Sequence, residues 1–185
     1  MSSSHDTFRP VLCLCLALAS TLPPIPVRAL PIGITTATLG RMALSMEEDL
    51  DPARCRVTVT VDRSRFQDML PTLLREGVLG KGIPYDKARG KVHTLASVWA
   101  LQMVATDLLD AYDRDVRLDR CHFETWIQVA DASGNPARQP MVSFNYDRKA
   151  FVRLEKPAEL GPVMMNATGL DMSRWIVDRT MEEAR

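Results

Sequence analysis

The sequence predicts an α+β domain: a four-stranded sheet packed on a long central helix, with further helices at its N- and C-terminal ends. Three observations carry this. The stretches "CRVTVTVD" (55–62) and "CHFETWIQV" (121–129) alternate apolar and polar side chains, as half-buried strands do. Between them, "VHTLASVWALQMVATDLLDAYDRD" (92–115) is apolar around much of a helical circumference. After them, "PMVSFNY" (140–146) and "AFVRLE" (150–155) continue the sheet as a meander. The sheet is antiparallel if all its neighbours are hairpin partners, and mixed if the first two strands run parallel across a helical crossover. A curved sheet around a long helix shares its layout with cystatin-like and related cone-shaped folds, an analogy of architecture that licenses no activity.

The N-terminal residues are expected to leave before the domain forms. Val11 to Leu18 is an unbroken run of eight apolar residues, far short of the roughly 20 that cross a bilayer as a helix. A short polar start with Asp6 and Arg9 precedes it, and small residues with the helix-breaking "TLPPIPVRA" follow. That is the layout of a secretory signal. Cleavage fits after Ala19 or after Ala29; the second is preferred because the prolines then fall in the removed segment. Residues 1–29 are thus read as signal and 30–185 as one globular domain of 156 residues, long enough to bury a core. The expected location is the periplasm or the exterior, with no stable membrane span after cleavage.

Cys13 and Cys15 go with the signal, and Leu12 and Leu14 before them do not suit a lipoprotein site. Cys55 and Cys121 remain, an even number in a disulfide-permissive compartment. Each opens an alternating strand on its apolar face, so parallel neighbouring strands bring the two sulfurs together. An antiparallel pairing separates them, and both then stay as buried thiols.

The 156-residue chain carries 21 basic and 22 acidic side chains. With no basic surplus or basic face, it is not a nucleic-acid binder. In the full sequence arginine outnumbers lysine 18 to 5 and asparagine occurs three times, the usage of a GC-rich genome, and a bacterial source is the expectation.

The elements follow in order. Leu39, Met42, Ala43, Met46 and Leu50 stand near helical spacing, with Thr36 or Thr38 as cap, and predict a first helix. After the first strand, Phe66, Met69, Leu70, Leu73 and Leu74 share a helical face, with Ser64 as N-cap, Gly77 as stop and Pro71 as a kink or break. "GVLGKGIPYDKARGK" is a loop. Its Gly80-Lys81 pair fails as a phosphate cradle, because Arg75 and Gly82 replace the leading glycine and the metal-binding hydroxyl. The long helix offers Leu95, Val98, Trp99, Met103, Leu108 and Tyr112 for burial. "DASGNPARQ" is a turn. A closing helix over 172–185 takes Ser173 as cap and presents Trp175 and Ile176 to the core or to a partner.

If helices cover one face of the sheet, the other collects Arg56, Thr58, Thr60, His122, Glu124, Trp126, Gln128, Ser143, Asn145, Phe151 and Arg153. Of these Arg56, Trp126, Gln128, Asn145 and Arg153 are the expected binding residues for a protein or small-molecule partner. His122 and Glu124, two apart on a strand, form the only acid-base pair of note. The aspartates 107, 110, 113, 115 and 119 lack the glycine of a calcium loop and interleave with Arg114, Arg117 and Arg120, which makes them a solvated helix end. No metal cluster, cofactor motif or nucleophile with its base appears, and none is expected. The leading expectation is an exported, non-enzymatic binding or accessory protein of the cell envelope. The alternative is a small exported hydrolase or isomerase that uses His122 and Glu124 in a pocket with Trp126 and Arg153.

Overall fold

The structure, a computed structural model, describes residues 43–77, 79, 82–151 and 160–185. Residues 1–29 with both cleavage sites, Thr36, Thr38, Leu39, Met42, Gly80, Lys81 and Arg153 lie outside the described residues, as do the side chains of Asp107, Leu108, Asp110 and Asp113.

One mixed sheet of five strands runs in chain order: β1 (Leu44–Asp49), β2 (Arg56–Asp62), β3 (Arg120–Ala130), β4 (Pro136–Asp147) and β5 (Thr168–Met172). β2 and β3 are parallel; the other neighbours are antiparallel. A parallel pair needs a crossover, and helices α1 (Arg63–Arg75), α2 (Tyr85–Arg89) and α3 (Val92–Arg114) supply it. Helices α4 (Arg148–Phe151), α5 (Leu160–Asn166) and α6 (Arg174–Glu183) complete the chain.

Alternation decides which face is buried. Val57, Val59 and Val61 of β2, Phe123 and Ile127 of β3, and Phe144 and Tyr146 of β4 point to one side and are fully buried. Phe66, Leu70 and Leu73 of α1, Trp99 of α3 and Ile176 of α6 join them in one core. Phe123 and Phe144 are opposite in register and stack at 5.3 Å, while Trp99 lies 5.1 Å from Phe66.

The parallel register sets Arg56 against His122, one residue beyond Cys55 and Cys121. The two cysteines are bridged, with Cα atoms 4.6 Å apart, and both are buried. Tyr112 of α3 reaches the same corner: its hydroxyl accepts from the Cys121 amide at 3.1 Å and donates to the Tyr146 carbonyl. Burial pushes the Tyr112 hydroxyl up to about 12 and keeps it protonated in that role.

Both ends of α3 are capped by charged side chains from distant elements. At its N-terminus the Glu183 carboxylate accepts from the amides of His93 and Thr94 at 2.8 and 2.9 Å and from the Thr94 hydroxyl at 2.7 Å, with His93 Nδ1 also at 2.7 Å. At its C-terminus Arg148 donates to the carbonyls of Tyr112 at 3.0 Å, Leu118 at 2.7 Å and Asp115. An anion at the positive end and a cation at the negative end satisfy orphaned backbone groups and oppose the helix dipole.

Several expectations are corrected. The segment from Leu44 is edge strand β1, not a helix: Leu44 pairs with Val61 and Asp49 with Arg56. Its methionine, leucine and glutamates favour a helix locally, but that preference is worth only tenths of a kcal/mol per residue and the ladder to β2 outweighs it. The sheet therefore has five strands instead of four. "AFVRLE" contributes no strand at its start, because Arg148–Phe151 coils into α4 to let Arg148 cap α3. Phe151 leaves the polar face for the core, 5.0 Å from Tyr112. The last strand of the meander is β5, whose internal Gly169 reads as a loop signal.

Asp62, not Ser64, caps α1, accepting from the Arg65 amide at 3.0 Å. Pro71 does not break α1: it sits on the exposed side, so the carbonyl it leaves unpaired is on the solvent side. The turn after β3 contracts to residues 131–135, where the Asp131 side chain accepts from the amides of Ser133 and Asn135, both at 2.8 Å, and β4 begins at Pro136. Ser173 caps α6, accepting from the Ile176 amide.

Candidate functional site

The polar face is built by register. Across the sheet, Glu47, Thr58, Glu124, Ser143 and Asp171 form one row, and Asp49, Arg56, His122, Asn145 and Thr168 the next. Two bulges shape it. Between Thr125 and Trp126 the partner strand skips a residue, so that Met141 and Val142, adjacent in sequence, both turn into the core. Thr125 anchors the bulge, its buried hydroxyl donating to the Val142 carbonyl and accepting from the Val142 amide, each at 3.0 Å. The second bulge lies in β5, where Gly169 adopts a φ of 61° between the pairs Asn145–Thr168 and Ser143–Asp171.

A hydrogen-bonded ladder occupies the middle of this face. His122 Nδ1 meets Asn145 Oδ1 at 3.1 Å and its Nε2 meets Glu124 Oε1 at 3.0 Å. The other Glu124 oxygen accepts from the Trp126 indole at 3.2 Å. Arg138 extends across Trp126, its guanidinium 5.3 Å from the ring, and donates to Thr60 at 2.8 Å, with Glu47 beyond at 3.9 Å. These side chains cover one another well enough to leave Thr58 and Thr60 buried. His122 and Glu124 remain 32% and 21% exposed and so are reachable from solvent.

Gly169 holds the Asn145 end of the ladder. A Cβ there would stand 3.0 Å from Asn145 Nδ2, and the positive φ disfavours any side chain. Gly169→Ala is expected to destabilise the fold by about 1–2 kcal/mol, read as a lower denaturant midpoint at unchanged slope.

Beside the ladder, at the first bulge, lies a hollow of about 110 Å³. Its walls are Glu124, Trp126, Pro140, Ser143, Asp171 and Ser173, with Thr125, Met141 and Val142 at the bulge itself. A second, wider hollow of about 340 Å³ opens at the end of the sheet, where Asp62, Arg63 and Gln128 meet the β3–β4 turn.

Of the expected binding residues, Trp126 and Asn145 join the ladder, Arg56 stands next to His122 in register, Gln128 lines the second hollow, and Arg153 lies outside the described residues. The pair His122–Glu124 is formed, but each His122 nitrogen and each Glu124 oxygen already has a partner on the face. These contacts orient Trp126 and Glu124 on the face. Sequence reasoning missed Glu47, Arg138, Asp171 and Gly169, which lie in a strand taken for a helix, in a turn that is strand, and in an unrecognised strand.

Among the described residues no group of three or more His, Cys, Asp or Glu side chains is placed to hold a metal ion, and no helix is long and apolar enough to cross a membrane. No protein-family model matches the chain, and neither a curated protein nor a solved structure is significantly similar to it.

Proposed function

We propose that this protein is an exported, non-enzymatic binding module of the cell envelope and that its site is the polar face of the sheet. The observation that carries the reading is the ladder His122–Glu124–Trp126 beside a hollow at a bulge: an aromatic ring and a carboxylate held in place on rigid strands, with their remaining surface open. The signal layout of residues 1–29, with the bridge between Cys55 and Cys121, supports export. The engaged nitrogens of His122 weigh against the hydrolase or isomerase alternative.

A photo-reactive amino acid placed at Ser143, on the polar face, and separately at Asp86, in α2, tests this in the native host. A discrete cross-linked species is expected from position 143 and none from position 86. Cross-linking at 86 alone, equally at both, or at neither overturns the reading.

A further inference from the structure

Resting on that binding reading, we propose that the hollow at the first bulge takes the guanidinium of an arginine side chain presented by a partner polypeptide. Among the described residues the lining is one-signed: it holds the carboxylates of Glu124 and Asp171, the hydroxyls of Ser143 and Ser173, and no lysine, arginine or histidine. The Glu124 carboxylate is fixed by His122 and Trp126, whereas the Asp171 carboxylate has no hydrogen bond or ion pair among the described residues. Register places the two acids on either side of Ser143: Glu124 of β3 and Asp171 of β5 are each its partner across β4.

Size narrows the ligand. A hollow of about 110 Å³ is well below the roughly 300–1,000 Å³ of sites that enclose a drug-sized molecule. It has room for a side-chain head group, the rest of whose chain stays outside. Charge then selects a cation, and the aromatic wall selects guanidinium over ammonium, because a planar fork pairs with a carboxylate through two parallel hydrogen bonds while stacking on indole. The face already carries one such contact: Arg138 lies over Trp126, drawn toward β1 and β2 by Glu47 and Thr60. A second guanidinium at the hollow would approach Trp126 from the β5 side, where Asp171 stands.

The chain has three tryptophans, so the indole protons give three resonances, and Trp126→Phe assigns one of them. Titrating the full protein with the blocked tripeptide Gly-Arg-Gly is expected to move the Trp126 resonance saturably. The signals of Trp99 and Trp175 should stay in place and report an intact fold. Asp171→Asn is expected to weaken the effect at least ten-fold, as is replacing arginine by its neutral isostere citrulline; lysine should bind more weakly than arginine. An equal response in Asp171→Asn, an equal response to citrulline or to a glutamate tripeptide, or no response to arginine overturns the proposal. If arginine fails while cross-linking at position 143 persists, the binding face stands with a different ligand; if both fail, the face reading fails too.

Discussion

Replacing Cys55 and Cys121 together by alanine is expected to lower the unfolding free energy by about 4 kcal/mol, and reductant should bring the wild-type protein to nearly the same value. The bridge closes 66 residues, a segment that contains the whole helical crossover between the two parallel strands. On the chain-entropy account a loop of that length costs the unfolded, cross-linked chain about 4 kcal/mol of freedom. The native state gives back little when the bridge goes, since both cysteines are buried and the corner keeps its other ties. The His122 amide donates to the Cys55 carbonyl at 2.9 Å, and Tyr112 still links Cys121 to Tyr146. For a domain of this size the loss corresponds to roughly 10 °C in Tm. Thermal unfolding followed by circular dichroism, with and without reductant, measures it. An oxidised wild type that melts with the double variant would show that the bridge constrains nothing that folding has not already fixed.

The strand and face of each cysteine were legible in the sequence, while the bridge itself stayed open until the strand direction was known, and the reason is physical. Cys55 and Cys121 each begin a perfectly alternating run, alternation fixes which face a residue takes, and a long helical stretch between two strands makes parallel pairing natural. The same alternation placed Arg56, His122, Glu124, Trp126, Gln128 and Asn145 on one face. It failed where the ladder is irregular. Counted back from Ser143 by twos, Met141 and Gln139 should face the polar side; the bulge at Met141 inverts the count, so Pro140 and Arg138 do instead. Glu47 and Asp171 were hidden for another reason: β1 has helix-forming residues and β5 has a glycine at positive φ, and both are strands only because a neighbour's backbone pairs with them. Edge strands take their structure from tertiary pairing, which a local pattern does not contain. The caps of α3 were equally invisible, since Glu183 lies 90 residues from His93.

The cap at the N-terminus of α3 leads to the second large effect. Glu183→Ala is expected to cost about 3 kcal/mol and Glu183→Gln somewhat less, because hydrogen bonds to an ionised group are worth about 1.5–3 kcal/mol and the donors left behind are poorly hydrated. Glu183 and His93 are only 12% and 16% exposed, so water replaces the carboxylate incompletely. Trp175 packs edge-on to His93 at 5.5 Å, which makes the cap the fastening between α6 and α3 as well. Burial is the largest single influence on this carboxyl and opposes its ionisation. The bonds from His93 and Thr94 together outweigh it and hold the group below its ordinary 4.5. As the pH falls, the unfolded chain therefore takes up this proton before the folded one does. The cap's contribution is full above 4.5 and is lost on descent through the lower folded value. Urea unfolding of wild type and Glu183→Gln at a series of pH values from the ordinary carboxyl value down to about pH 3 separates the charge from the shape: the gap between the two curves should close as the pH falls. Curves that stay parallel throughout would mean that the amide loses only geometry, and that the charge on Glu183 contributes nothing to holding α6 on α3.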